Sequence, residues 1–178
     1  MKKTYAVQLI IDFIVILLGL YLYIFSDISN LNTNIIFSLT MCIYAGLELF
    51  EYILDHTRKE PLYIFFAAGL AAFATYFLRE YDANYVVPIT ILVWIITYAI
   101  IKIISLEEIS VRKSNLFIIK LVSMSMLVIL GVLVSISMFY KISALTYALA
   151  LMYLSYGVIE AFCDFLSFLS ENSKFLEE

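Results

Sequence analysis

Seven ionisable side chains interrupt the apolar segments of this chain, and their chemistry is the first feature that needs an explanation. A charged group inside a membrane-spanning helix costs about 3 kcal/mol at mid-bilayer, so such residues are candidates for function. The set holds five carboxyl groups and two ammonium groups, a formal excess of three negative charges. Carboxyl groups crowded together in an apolar medium are expected to hold protons or water. The seven residues are Asp12, Glu48, Glu51, Lys102, Lys120, Glu160 and Asp164.

Three tyrosines accompany these charges at helical spacing. Each stands four residues before a charged residue, which places both side chains on one face of a helix. If the three faces turn towards one another, they form a polar vestibule lined by phenols and carboxylates. One hypothesis from this pattern is a cytoplasm-facing site that senses protons or binds a cation. The three stripes are Tyr44 with Glu48, Glu51 and Asp55, Tyr98 with Lys102, and Tyr153 and Tyr156 with Glu160 and Asp164.

The same charges also fit a purely structural role. A side chain within two turns of a helix end can reach water or lipid headgroups, as Lys102 and Lys120 would, and can pair with a carboxylate so that the helices assemble. Tyrosines near the two membrane faces likewise fit the aromatic belts of membrane proteins. Contact with another membrane protein is a third explanation. The sequence leaves these alternatives open.

Composition excludes several classes of site. The net charge of -4 offers no basic surface to nucleic acid. One histidine, His56, and two cysteines, Cys42 and Cys163, give no metal-ligand set, and we expect both thiols to be buried because they lie in apolar runs. No nucleotide-binding or cofactor motif occurs. The string EEISVR at 107–112 matches a signature of intramembrane prenyl-protein endopeptidases, but their further histidines are missing, so we expect no enzyme.

The elements that must position these residues are membrane-spanning helices. Hydrophobic residues make up 64% of the 178 positions, and mean hydropathy is +1.00, which is typical of an integral membrane protein. A bilayer core needs about 20 apolar residues per helix. We therefore predict an all-α polytopic protein with six transmembrane helices in a single membrane domain. The predicted spans cover 5–25, 34–55, 61–78, 85–104, 115–138 and 143–168.

Lysine and arginine positions predict the orientation of these spans. Basic residues favour the cytoplasmic side of a membrane. On one side of the predicted topology lie only Arg79 and Lys141. We therefore expect a multi-pass protein of the cell (inner or plasma) membrane with both termini in the cytoplasm. The basic residues on the predicted cytoplasmic side are Lys2, Lys3, Arg58, Lys59, Lys102, Arg112, Lys113, Lys120 and Lys174.

The chain also shows signs of an internal repeat. An aromatic residue opens each odd span, and the repeat tyrosine of the following span comes 39, 35 and 39 residues later. Gly19 and Gly131 lie at matching places, each 14 residues after the opening aromatic. This spacing predicts three tandem helical hairpins at roughly 5–56, 61–104 and 115–168. The opening aromatics are Tyr5, Tyr63 and Phe117.

These features resemble a known family. The segments ILLGLYLYIF and IIFSLTMCIYAGLELFEYIL, joined by a short loop, are similar to the hairpin repeat of HdeD-type membrane proteins, the acid-resistance family. The resemblance covers nearly the whole chain. It implies three hairpins, six spans, no catalytic residues, and a role in tolerance of acid or envelope stress.

Two other functions remain open at this stage. A small-solute transporter, or the membrane-embedded substrate-binding subunit of an importer, would need an outer pocket, for which Trp94, Tyr85 and Tyr140 are the candidate lining. A structural partner would instead dock a helix on small residues, such as Ala67 and Ala71 four positions apart. The partners expected from sequence are thus the lipid bilayer and either a second copy or another membrane protein.

Overall fold

The computed structural model describes residues 2–24, 33–110, 114–141 and 145–173, and within these ranges it contains helices and no strand. Each helix contains a segment long and apolar enough to cross a membrane, and the ends of these segments differ from the predicted spans by no more than two residues. The six-span, all-helical prediction is confirmed, and the chain is a multi-pass membrane protein. The helices are α1 (Lys2–Ile24), α2 (Thr33–Leu54), α3 (Glu60–Phe77), α4 (Ala83–Ser110), α5 (Ser114–Phe139) and α6 (Leu145–Ser173).

The six helices form a closed ring in chain order. Each helix contacts the next along the chain, and α1 completes the ring by packing against α6. The most extensive contacts join α1 to α6, α2 to α3, and α4 to α5, whereas α1 and α2 touch only slightly. The hairpins predicted from sequence are therefore not the most closely packed pairs, and the internal repeat stays a prediction.

Two glycines allow α1 and α6 to approach closely. A Cβ at Gly157 of α6 would lie 2.7 Å from Ile16 Cγ1 and 3.1 Å from the carbonyl oxygen of Asp12. A Cβ at Gly19 of α1 would lie 2.8 Å from the backbone nitrogen of Leu154. Small residues at such positions strengthen helix association in lipid because the backbones can come into contact. This seam fixes the register of α1 against α6.

The even-numbered helices supply much of the interior. Phe37 and Met41 of α2, Ile91 of α4 and Leu149 of α6 are fully buried, and α2 reaches across the ring to contact both α4 and α6. The small-residue face of α3 is also used inside the bundle, where Ala68, Ala71 and Ala72 are buried. Large apolar side chains cover the outer surface, as expected of a surface that faces lipid.

One sequence expectation about the interior is wrong. Cys163 is buried, but Cys42 is exposed on the outside of α2. The cause is helical geometry, because Cys42 lies two residues, or about 200° of rotation, from the inward-facing Tyr44. An apolar run alone does not tell which face of a helix a residue occupies.

Candidate functional site

A group of ionisable residues gathers at one end of the bundle, where α1 begins and α6 ends, around a cavity of about 20 Å³. We call this end the charged end and the group the charged cluster. Its side chains come from α1, α2, α3, α4, α6 and the connector between α2 and α3. The charged cluster consists of Asp12, Glu48, Glu51, Arg58, Glu60, Lys102, Glu160 and Asp164.

Lys102 is the cation at the centre of the charged cluster. Its Nζ lies 2.7 Å from Glu60 Oε1 and 3.5 Å from Glu160 Oε2, so one ammonium group joins α3, α4 and α6. The same Nζ lies 5.4 Å from the centre of the Tyr98 ring, within the range of a cation–π contact. These contacts hold the side-chain carboxylates of Glu60 on α3 and Glu160 on α6 beside α4.

Arg58 closes the charged cluster on the side of the connector between α2 and α3. Its two terminal nitrogens each lie 3.2 Å from a carboxylate oxygen, Nη1 from Glu51 Oε1 and Nη2 from Glu60 Oε2. Burial of the guanidinium opposes its charge, but Glu60 and Glu51 together raise the pKa of Arg58 above its usual value. Arg58 therefore stays charged and ties the connector to α2 and α3.

The remaining carboxyl groups are buried without such partners. Asp12, Glu48 and Asp164 line the cavity and form no ion pair within 4 Å with any described residue. Asp12 Oδ2 and Glu160 Oε1 also find no hydrogen-bond donor in the described part of the chain, and neither does Gln8 Oε1. The charged cluster thus combines six carboxyl groups with two cations, so its formal charge is strongly negative.

Six of the seven ionisable residues singled out from sequence line the cavity, and Lys120 does not. Lys120 is half-buried on α5 and makes no ion pair within 4 Å in the described ranges. It lies within one turn of the end of the spanning segment Phe117–Phe139, where a long side chain can reach the membrane interface. Lys120 therefore belongs to the rim of the charged end.

An aromatic cluster closes the inner side of the cavity. The hydroxyls of Tyr44 and Tyr156 are 2.6 Å apart, and the Tyr98 ring centre lies 5.3 Å from that of Tyr156. Trp94 packs against all three rings, with centre-to-centre distances of 5.9, 5.7 and 5.5 Å to Tyr44, Tyr98 and Tyr156. Deeper still, the Tyr153 hydroxyl is hydrogen-bonded to Thr40. The three repeat tyrosines thus meet, and two of them, Tyr98 and Tyr156, line the cavity.

Three polar residues of the site were missed from sequence. Gln8 lies one turn before Asp12, so the spacing that linked each tyrosine to its charge was present there too. Arg58 and Glu60 lie in the connector and at the first residue of α3, where charges are usually solvated. The sequence holds no signal for Glu60, because its role depends on Lys102 of α4, which lies 2.7 Å away.

The residues considered for an outer pocket do not line this cavity. Trp94 is buried in the aromatic cluster, whereas Tyr85 and Tyr140 are exposed, with the Tyr85 ring 5.4 Å from that of Phe139. At the opposite end of the bundle, neutral hydrogen bonds join α2 to the turn after α3. The Asn34 side-chain amide donates to the carbonyl oxygens of Arg79 and Tyr81, at 3.3 and 3.2 Å.

The chemistry of the site is defined by oxygen acceptors in a negative, water-sized cavity. No group of three or more His, Cys, Asp or Glu residues with metal-binding geometry occurs in the described ranges. Carboxyl oxygens without donors can instead accept protons, water or a small cation. No family model, curated protein or solved structure matches this chain.

Proposed function

We propose that this protein is a non-enzymatic membrane protein whose charged cluster takes up protons on acidification, and that it contributes to tolerance of acid or envelope stress. The observation that carries the proposal is the burial of Asp12, Glu48 and Asp164 around one small cavity without ion-pair partners among the described residues. The role in acid or envelope stress comes from the proposed resemblance to HdeD-type proteins alone.

The physical basis is the cost of burying charge. An ionised carboxylate away from water is unfavourable unless it is paired, and neutralisation by a proton or a bound cation removes that cost. Only part of the charged cluster is neutralised internally, since Lys102 and Arg58 are shared among Glu51, Glu60 and Glu160. The other carboxyl groups are therefore able to respond to the composition of the adjoining solution.

Acid survival of cells tests this function. A strain with Glu48→Gln and Glu160→Gln should survive acid exposure less well than the wild type, with the same amount of protein in the membrane. Lys102 keeps its 2.7 Å partner Glu60 in this variant, so the bundle retains its central ion pair. The matched control is Glu80→Gln, an exposed carboxyl group outside the charged cluster. Wild-type survival of the double variant would contradict the proposal.

The proposal places the charged end on the cytoplasmic side of the cell membrane. Nine of the eleven lysines and arginines lie on that side of the predicted topology, in agreement with the positive-inside preference. A chain with Cys42→Ser and Cys163→Ser provides a background for labelling with a membrane-impermeant maleimide. In intact cells, Lys141→Cys should react and Thr57→Cys should not. The opposite labelling pattern would reverse the orientation.

The proposal also retains the internal repeat of three hairpins. The meeting of Tyr44, Tyr98 and Tyr156 in one aromatic cluster supports it, because equivalent positions in a three-fold repeat would lie at similar depth around a common axis. The use of Gly19 and Gly131 at close contacts with a neighbouring even-numbered helix gives further support.

A further inference from the structure

We propose that the cavity holds a single monovalent alkali cation, bound between α1 and α6 by Gln8 Oε1, Asp12 Oδ2 and Glu160 Oε1. The inference rests on the proposed function of the charged cluster and deepens it, since it names an ion that would occupy the site when protons are scarce.

The first reason is the state of three buried oxygen atoms. Gln8, Asp12 and Glu160 are only 7%, 6% and 4% exposed, and all three line the cavity. One oxygen of each finds no hydrogen-bond donor in the described ranges. Buried acceptors are almost always satisfied in folded proteins. A water molecule donates only two hydrogen bonds, whereas one cation can contact three oxygens and also reduce their negative charge.

The second reason is the register of α1 against α6. Gly157 places α6 directly against Asp12 and Ile16. A Cβ added at this position would lie 3.1 Å from both the Asp12 carbonyl oxygen and the Ile16 backbone nitrogen. Glu160 follows Gly157 by nearly one turn, and Gln8 precedes Asp12 by one turn of the antiparallel neighbour. The glycine seam therefore places Gln8 and Glu160 at one level of the bundle, one turn nearer the charged end than Asp12, so that all three side chains line the cavity.

The third reason is that the other oxygen of Glu160 is already used. Lys102 Nζ lies 3.5 Å from Glu160 Oε2, while Oε1 has no partner in the described part of the chain. Lys102 also pairs with Glu60 at 2.7 Å, so its charge is shared between two carboxylates. One positive charge is therefore insufficient for the carboxyl groups around the cavity.

Size and charge favour a singly charged ion. A cavity of about 20 Å³ holds one water-sized particle. Calcium prefers six to eight oxygen ligands with several carboxylates, and magnesium keeps most of its own waters. Two carboxylates and one carboxamide are too few oxygens for calcium, and Lys102 already offsets part of their negative charge, so a monovalent ion fits the site better than a divalent one.

Protons compete with the cation for the Asp12 carboxylate, so every charged or titratable neighbour influences binding. Lys102 and Arg58 repel a cation, while the remaining carboxyl groups attract it. Arg58 in the connector and Lys120 on α5 lie outside the cavity, where they act on Glu51, Glu60 and Asp164. The titratable groups that line the cavity are Asp12 on α1, Glu48 and Glu51 on α2, Glu60 on α3, Tyr98 and Lys102 on α4, and Tyr156, Glu160 and Asp164 on α6.

The test uses the full chain in detergent near neutral pH, with sodium chloride replaced stepwise by choline chloride at constant ionic strength. Choline is too large for the cavity. The single tryptophan of the chain, Trp94, contacts Tyr98 and Tyr156, which line the cavity, so its fluorescence reports occupancy. Sodium should change that fluorescence saturably and raise the thermal midpoint by about 5 °C. Asp12→Asn should abolish both effects, whereas Glu80→Gln should keep them.

Gln8→Leu provides a second variant that leaves every charge in place, and it should weaken the sodium effect by tenfold or more in apparent affinity, about 1.4 kcal/mol. Equal behaviour of the wild type in sodium and in choline would overturn the cation site, as would an undiminished sodium effect in Asp12→Asn or in Gln8→Leu. A third outcome separates the two proposals. If the Glu48→Gln, Glu160→Gln strain loses acid survival but the purified wild-type protein shows no sodium dependence, the cation site is overturned and the proposed function stands.

Discussion

The two ends of the bundle are held together by different chemistry. At the charged end, Lys102 and Arg58 join several helices through partly buried ion pairs, and carboxyl groups without an ion-pair partner in the described ranges surround a cavity. At the opposite end, the neutral side chains of Asn34 and Ser38 donate to carbonyl oxygens of α3 and the turn that follows it. Neutral hydrogen bonds close a bundle in lipid at little electrostatic cost. Buried charges cost more free energy, so we expect the binding of protons or a cation to offset that cost at the charged end.

Removal of the central cation should give the largest effect. Lys102→Met leaves Glu60 and Glu160 facing each other without their shared ammonium group, and breaking a buried pair in this way costs about 3 kcal/mol. The free energy of unfolding in mixed micelles measures the loss. The matched change at the opposite end, Lys141→Met, should have no effect because Lys141 is exposed.

A second variant decides whether the loss is electrostatic. If Lys102→Met destabilises by leaving charges unpaired, then adding Glu60→Gln and Glu160→Gln should recover most of the stability. Failure to recover would mean that the aliphatic part of Lys102 is what packs the charged end. In that case the two ends of the bundle would differ less than their ion pairs indicate.

The glycine seam that positions the cation site should give the next largest effect. In Gly157→Ala the new methyl group meets the backbone of α1, which cannot rotate away, so we expect a loss of about 2 kcal/mol. Gly46→Ala is the matched control, since a Cβ there has nothing within 4 Å, and it should be neutral or stabilising by up to about 1 kcal/mol. The thermal midpoints of the two variants, with and without sodium, measure these effects.

Gly19→Ala separates the effect of the glycine seam on stability from its effect on sodium binding. Its Cβ would also meet backbone, at 2.8 Å from Leu154 N, but Gly19 lies two turns further from the charged end than Asp12. It should destabilise to a similar degree as Gly157→Ala and leave sodium dependence intact. Loss of sodium dependence in both variants would mean that it reflects general packing.

The sequence predicts the spans and the polar faces for clear physical reasons. Span length follows from bilayer thickness, and the position of Glu48 one turn after Tyr44 follows from helical periodicity. Both are properties of a single segment. This is why all six spans are confirmed and why most charged residues of the stripes line one cavity, whereas Asp55 instead accepts hydrogen bonds from Thr57.

Other parts of the site depend on which helix lies beside which, and single-segment patterns do not contain that information. Glu60 looks like a solvated connector residue until α4 places Lys102 2.7 Å from its carboxylate. The close pairing of α1 with α6 joins the two ends of the chain, and the only local trace of it is glycine at positions 19 and 157. Cys42 shows the same limit, because its exposure depends on helix rotation.

Loss of the neutral hydrogen bonds at the opposite end should have a smaller effect. Asn34→Ala removes two donations to the carbonyl oxygens of Arg79 and Tyr81 and should cost about 1 kcal/mol. Because no charge changes, the dependence of unfolding on sodium and on pH should match that of the wild type. A changed sodium dependence would show that the two ends are coupled through the bundle.

The smallest expected effect is at Asp82, the carboxyl group that begins the turn into α4 at the opposite end. Its Oδ1 accepts hydrogen bonds from the backbone and side-chain nitrogens of Asn84, at 3.0 and 2.6 Å, and these bonds lower the pKa of Asp82 below its ordinary value of 3.8. A lowered pKa means that the stabilisation is present above the unfolded value and is lost only as pH falls through the folded one.

Asp82 therefore stays ionised from about pH 8 down to about pH 5 and contributes nothing to the pH dependence of stability in that window. Any such dependence must then come from groups elsewhere, and we assign it to the charged end. In Asp82→Asn, the curve of unfolding midpoint against pH should keep its shape across the window. A flatter curve in Asp82→Asn would place a titrating group at the opposite end and remove the contrast between the two ends. A curve that flattens only in Asp12→Asn or Glu48→Gln would locate the titration in the charged cluster.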